Sequence, residues 1–138
     1  MLHGDWQFIS YKGEYNEVYF SDSTYHSYNL RNKFFPPFHY TLTGDTLWTD
    51  AFAKTSGKPM KAVATVQQLK DNLIVITTPF SKDTLHKIAK GKPLISHTVS
   101  SGDTTGFHAA FRERYNNFLI QLGIIDEKEA NLPPNNNR

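Results

Sequence analysis

Residues 15–50 constrain the fold most, because they repeat one pattern at short intervals: an apolar run, a tight polar turn and another apolar run. Tyr, Phe, Thr and Trp fill the runs, and these residues fit a pleated, half-buried surface. Short turns rich in Gly, Asp and Ser between such runs are typical of hairpins. The stretch therefore predicts an antiparallel meander with the runs Tyr15–Phe20, Thr24–Leu30, Phe38–Thr43 and Thr46–Thr49.

The chain on either side extends the meander. Residues 4–10 are predicted as a first strand, with Trp6 and Phe8 on one face and Gln7 and Ile9 on the other, since successive side chains of a strand point to opposite faces. Residues 31–37 are expected to be a loop, because proline cannot donate to a ladder and belongs to a strand entrance or an edge. Two further strands are predicted over Met60–Leu69 and Leu73–Thr78.

Residues 81–93 fit two structures. Leu85, Ile88 and Ala89 have helical spacing and Gly91 is a stop signal, which together favour a short helix. A meander that must close favours a strand in the same place. We favour the helix, and we expect Pro93–Val99 to supply the last strand.

The clearest helix follows, because one continuous apolar stripe runs from Phe107 to Leu122 at helical spacing. Thr104 or Thr105 can cap its start, and Gly123 is expected to end it. A stripe of this size cannot be left in water, so the helix must dock on a sheet face or cover a barrel mouth. We expect Phe111 and Phe118 to be buried, and Arg112 and Asn116 to be exposed.

Composition limits the class of protein. With 138 residues we expect one domain over residues 1–130 and a disordered tail over residues 131–138. A formal net charge of +2 gives no argument for a nucleic-acid partner. The absence of Cys excludes disulfides, thiolate metal sites and cysteine nucleophiles. No apolar run reaches the ~18 residues that a transmembrane span requires.

The first residues, Met1 to Gly4, have neither the charged region nor the apolar region of a signal peptide. Two explanations fit this start. Either the protein is cytoplasmic, or the chain is an exported domain from which the signal peptide has been removed, and we favour the second explanation.

Gly4-Asp5-Trp6 at the start of the first strand resembles the G-x-W signature of the lipocalins and the wider calycin group. The overall pattern is most similar to the lipocalin-like domains of bacterial lipoproteins. The resemblance implies a mainly β fold: an antiparallel meander closing into a lipocalin-like barrel or a strongly curved sheet, with a C-terminal α-helix packed on it. It also implies that Trp6 plugs the closed end of the barrel and that an Arg packs over it. Since no Arg occurs between Arg31 and Arg112, such an Arg would come from the helix or be absent.

The remainder of such a barrel forms a cup for an apolar ligand, and an eight-stranded barrel has room for one small ligand. The alternative is that the same aromatic side chains simply fill the interior. The candidate ligand-binding residues are Trp6, Phe8, Phe20, Phe38, Tyr40 and Trp48.

Other chemistry is weakly indicated. His26 and His39 on neighbouring strands make at most half of a zinc site, which usually needs three or four ligands. No metal or cofactor site and no catalytic group is therefore predicted. A run of lysines within residues 81–93 is best explained as a solvated surface, and the functional alternative is an anionic partner or a membrane surface. These lysines are Lys82, Lys87, Lys90 and Lys92.

The leading functional hypothesis is non-enzymatic binding of a small apolar or amphipathic ligand in a β-barrel cup. The alternative is a protein–protein interaction module whose barrel interior is solid. An enzyme comes third. A cavity large enough for a ligand would separate the first two hypotheses.

Overall fold

The computed structural model describes residues 2–50, 60–89 and 91–124. Eight strands form a closed antiparallel barrel in which each strand pairs with its neighbours along the chain and β1 pairs with β8. This confirms the predicted mainly β fold with a meander that closes and a C-terminal helix packed on it. The strands are β1 Gly4–Ile9, β2 Tyr15–Phe20, β3 Thr24–Asn29, β4 Lys33–Thr43, β5 Thr46–Thr49, β6 Lys61–Lys70, β7 Leu73–Thr77 and β8 Lys82–Lys87.

The first hairpin sets which side chains point into the barrel. Trp6 pairs with Val18, and both belong to the interior core. The next pair, Gln7 and Glu17, therefore lies on the outer face. The predicted division of β1 into two faces is confirmed.

The expected loop over residues 31–37 is wrong, because β4 begins at Lys33 and carries both prolines within the strand. The register with β3 shifts at this point: Tyr25 pairs with Phe38, whereas Ser27 pairs with Phe35. Pro36 and Pro37 fall in that irregularity, where the ladder is interrupted and the missing N–H groups of proline are tolerated.

The expected helix over residues 81–93 is also wrong, since Lys82–Lys87 forms β8. This strand pairs with β7 along one edge and with β1 along the other, and it thereby closes the barrel. Leu85 points into the interior core. Ile88 lies just beyond the strand, and its N–H donates to the carbonyl of Asp5 at 2.8 Å. The helical spacing of the apolar residues was thus outweighed by backbone hydrogen bonds to two strands.

The predicted last strand, Pro93–Val99, is wrong as well, because helix α1 occupies Ile95–Ser101. With the barrel closed by β8, no sheet edge remains for another strand. The Asp5 carboxylate accepts a hydrogen bond from the N–H of Ser96 at 3.1 Å, near the start of α1. Gly102 ends the helix in the left-handed region, with φ of 73°. Tertiary contacts have overridden a β-favouring local sequence.

The predicted long helix is confirmed as α2, Phe107–Gln121, with Phe111 and Phe118 buried. The expected threonine caps are wrong, because the N-cap is Gly106 with φ of 76° and no side chain caps the helix. Arg112 and Asn116 are half-buried rather than exposed.

The helices lie on the outer wall of the barrel and do not cover a mouth. Their aromatic side chains form a second core with residues of β2 and β3. The Tyr15 ring, for example, lies 5.1 Å from that of Phe111 and 5.7 Å from that of Phe118. Phe118 also contacts His86 of β8, with ring centroids 5.1 Å apart. The buried members of this outer core are Tyr15, Tyr28, Ile95, Phe107, Phe111 and Phe118.

A buried ion pair joins α2 to the barrel. The Arg114 guanidinium donates two hydrogen bonds of 2.8 Å to the Glu17 carboxylate. The side chains of Arg114 and Glu17 are only 10% and 2% exposed. The Tyr15 hydroxyl donates to the same carboxylate at 2.6 Å, and burial, followed by the charge of Glu17, holds the pKa of Tyr15 far above its usual value. The sequence did not indicate that Glu17 would be buried.

The expected domain end at residue 130 and the tail over residues 131–138 lie outside the described residues.

Candidate functional site

A cavity of about 460 Å³ lies inside the barrel. Its lining includes Thr49 at the end of β5, Thr78 directly after β7 and Asp83 near the start of β8. These positions place the cavity towards the end of the barrel where β7 turns into β8. Phe35, which also lines it, is 49% exposed, so the cavity opens to solvent at this end, here called the mouth.

The opposite end of the barrel is closed around Trp6, which is 0% exposed. The indole Nε1 donates a hydrogen bond to the carbonyl of Leu2 at 2.8 Å, which satisfies its polar end. The Lys87 ammonium lies 5.5 Å from the centre of the indole ring. A lysine of the last strand thus supplies the cation over the tryptophan, where the family resemblance implied an arginine. Gly4 has φ of 133°, a backbone conformation that residues with a side chain rarely adopt, which explains the glycine at this position.

Aromatic rings form a continuous part of the cavity wall. Phe20 contacts Tyr25 with centroids 4.9 Å apart and meets Tyr40 edge-on at 5.1 Å. Tyr25 stacks on Phe38 at 4.7 Å. The Tyr40 hydroxyl donates to the carbonyl of Ser21, so its polar end is satisfied by the backbone. These four side chains, Phe20, Tyr25, Phe38 and Tyr40, are called the aromatic wall.

Asp83 is the charged residue among those that line the cavity in the described part of the chain. Its nearest hydrogen-bond partner is the Ser81 hydroxyl, at the long distance of 3.4 Å. Burial raises the pKa of Asp83, and the Ser81 hydroxyl opposes this rise. Burial also raises the pKa of Tyr25 well above its usual value, with a further contribution from the charge of Asp83. The Asp83 carboxylate and the Tyr25 hydroxyl therefore influence each other electrostatically within the cavity.

Four of the six candidate ligand-binding residues line the cavity, namely Phe8, Phe20, Phe38 and Tyr40. Trp6 points inwards from the same face as Phe8 but nearer the closed end, and it belongs to the packed interior core. Trp48 does not line the cavity. It lies between two cavity residues of β5, Leu47 and Thr49, and therefore faces outwards.

Sequence reasoning missed the other residues that line the cavity, and Tyr25 and Asp83 are the two that matter most for its chemistry. Tyr25 pairs with Phe20, which points into the barrel, so the two-residue period that identified the faces of β1 would also have identified Tyr25. Asp83 was missed because its segment was predicted as a helix, in which no residue would line the barrel.

In the described part of the chain, His26 and His39 have other partners and Lys82 lies far from Lys87, while Lys90 lies outside the described residues. His26 is within 2.9 Å of the Thr24 hydroxyl, and His39 within 2.9 Å of the Asp50 carboxylate. Within residues 2–50, 60–89 and 91–124, no group of three or more His, Asp or Glu side chains could hold a metal ion. Lys82 and Lys87 begin and end β8, so an extended strand separates them by roughly 16 Å.

Comparisons with known proteins give little. Neither the family models nor the curated proteins contain a match for this chain. Among solved structures it is similar to an uncharacterised protein from Bacteroides eggerthii DSM 20697, with a TM-score of 0.43 and 14% sequence identity, over 64% of this chain and 100% of that one. A likeness at this level carries no functional argument. No helix in the described ranges has the length and apolar character needed to cross a membrane.

Proposed function

We propose that this protein binds a small apolar or amphipathic ligand, without catalysis, inside its barrel. One observation carries the proposal: a cavity of about 460 Å³ with a mainly apolar lining, open at the mouth and closed at the other end by the packing around Trp6. Ligand sites typically have volumes of roughly 300–1,000 Å³ and combine apolar walls with a few polar groups.

The lining supports binding by the hydrophobic effect. Leu47, Val63, Ile76 and Leu85 contribute aliphatic surface, and the aromatic wall contributes aromatic surface. Each 100 Å² of apolar surface that a ligand removes from water is worth about 2.5 kcal/mol before the costs of association. A ligand of this chemical class can therefore be held by shape and burial, with polar groups at the mouth fixing its orientation.

The alternative function, an interaction module, depended on a solid barrel interior. The cavity argues against that premise and in favour of a ligand. Trp6 at the closed end is packed into the interior core, whereas the aromatic side chains nearer the mouth line the cavity.

The proposal is tested by titrating the purified protein with the neutral apolar fluorophore N-phenyl-1-naphthylamine. Ala64 lines the cavity, so Ala64→Phe should fill it and weaken binding at least tenfold. Ala62 lies on the same strand but is exposed, so Ala62→Phe is the matched control and should bind as the wild type does. Absence of binding by the wild type, or equal binding by both variants, would contradict the proposal.

A further inference from the structure

Asp83 lacks a cationic partner within the described part of the chain. The ion pairs there join Arg31 to Glu14, His39 to Asp50 and Arg114 to Glu17, and none includes Asp83. A carboxylate that is partly removed from water without a cation is disfavoured, which is the reason its pKa is raised. A perturbed carboxyl group that lines a cavity is a candidate functional group.

The aromatic wall adds a second source of negative potential. The face of an aromatic ring carries the negative part of its quadrupole, and a cation within about 6 Å of the ring centre is attracted to it. The rings of Phe20, Tyr25 and Phe38 are in sequential contact and all line the cavity. Clusters of aromatic rings recognise quaternary ammonium groups in this way.

The described residues of the same lining carry no positive charge. The described residues that line the cavity include no Lys, Arg or His, and their polar groups besides Asp83 are the hydroxyls of Thr and Tyr. An anionic ligand such as a fatty acid would meet a carboxylate and no compensating cation among these described residues. A neutral ligand would leave Asp83 without a partner and more deeply desolvated.

We therefore propose, building on the proposed function, that the ligand is a cationic amphiphile: an apolar body carrying an amine or quaternary ammonium group. The cation lies between the Asp83 carboxylate and the aromatic wall. The apolar body of the ligand extends past Phe8 towards the closed end, where the lining is aliphatic and aromatic.

Three probes with the same alkyl chain and different head groups test this inference: decyltrimethylammonium, decanol and decanoate. Their affinities are measured by isothermal titration calorimetry near neutral pH, below the concentrations at which they form micelles. We expect decyltrimethylammonium to bind at least tenfold more tightly than decanol, and decanoate to bind most weakly. Equal affinity for all three probes would overturn the inference and leave the proposed function standing, whereas failure of every probe and of the neutral fluorophore would overturn both.

Asp83→Asn should remove the preference of the protein for decyltrimethylammonium, because it weakens the binding of the cation and relieves the desolvation cost that decanol imposes on the carboxylate. Asp71→Asn is the matched control, because Asp71 is exposed in the turn between β6 and β7 at the opposite end of the barrel. Retention of the preference in Asp83→Asn, or its loss in Asp71→Asn, would refute the role of Asp83.

A pH titration of the wild type gives the same test without substitution. The titratable groups of the described cavity lining are Tyr25, Tyr40 and Asp83, and only Asp83 loses its charge on acidification. The charge of decyltrimethylammonium is permanent, so any acid-induced loss of preference over decanol reports on the protein. A preference that persists well below the ordinary pKa of an aspartate, 3.8, would overturn the inference.

Discussion

The buried pair of Arg114 and Glu17 allows a quantitative prediction about how α2 is held on the barrel. We consider Arg114→Met, which keeps a long side chain but removes the charge. The substitution deletes two charge-assisted hydrogen bonds of 2.8 Å and leaves the Glu17 carboxylate, 2% exposed, without its cation. The protein must then bury an uncompensated charge or open the contact between helix and barrel to admit water.

The structure sets the expected magnitude. Removing one partner of a buried ion pair costs roughly 3–5 kcal/mol, because the remaining charge has lost its compensation. Glu17 still accepts a hydrogen bond from the Tyr15 hydroxyl at 2.6 Å, so we expect a value near the lower limit. A loss of about 3 kcal/mol corresponds to a decrease in Tm on the order of 10 °C for a chain of this length.

Urea denaturation, followed by circular dichroism, measures the free energy of unfolding of the wild type, Arg114→Met, Glu17→Gln and the double variant. Since the glutamine is neutral and can still accept from Tyr15, the double variant should recover at least half of the loss seen in Arg114→Met. Arg112→Met is the matched control on the same helix. Arg112 is half-buried and makes no ion pair with any described residue, so the change should stay within about 0.5 kcal/mol.

A free energy of unfolding of Arg114→Met within about 1 kcal/mol of the wild-type value would contradict this prediction, since the charge left behind would then cost almost nothing. Losses in the two single variants that simply add in the double variant would contradict it as well. Additivity would show that the two side chains act independently, which a direct bidentate contact does not allow.

Three further predictions concern single positions. Trp6→Ala should destabilise the protein by about 3–5 kcal/mol in urea denaturation, because the indole is fully buried at the closed end, and an unchanged midpoint would show that this end is not packed as described. Phe111→Ala should lower the free energy of unfolding by a similar amount, roughly 3–5 kcal/mol, because Phe111 is buried. Glu113→Ala, on the exposed side of the same helix, should change it by less than about 0.5 kcal/mol. Similar losses of stability in both variants would contradict docking of the helix through Phe111. Asp83→Asn should raise Tm near neutral pH and have no effect on Tm near pH 3. Burial raises the pKa of Asp83 above 3.8, so the stability of the wild type falls as the pH rises through the pKa of the folded state. The asparagine does not ionise and therefore avoids this loss. Thermal melts at the two pH values check the last prediction, and a lower Tm for Asp83→Asn at neutral pH would show that the carboxylate stabilises the fold.

Much of the barrel wall follows from local sequence. The two-residue alternation in residues 4–20 determined which side chains of β1 and β2 point inwards, and short polar turns determined the hairpins. The stripe that includes Phe111 and Phe118 likewise determined the buried face of α2. These features depend on interactions between residues close together in the chain, so the pattern of residue types contains the information. The same alternation identified four of the cavity-lining aromatics.

Tertiary structure decided the remainder, most clearly between residues 81 and 101. Lys82–Lys87 carries helical spacing and Ile95–Ser101 carries β-favouring residues, yet the first is a strand and the second a helix. Closure of the barrel requires a strand between β7 and β1, and it leaves no edge for another strand, so backbone pairing across nearly the whole chain outweighs local propensity. The same closure brings Asp83 into the cavity, and the docking of α2 buries Glu17 beneath Arg114. Since these environments are made by segments far apart in sequence, they arise only when the barrel closes and the helix packs on its wall.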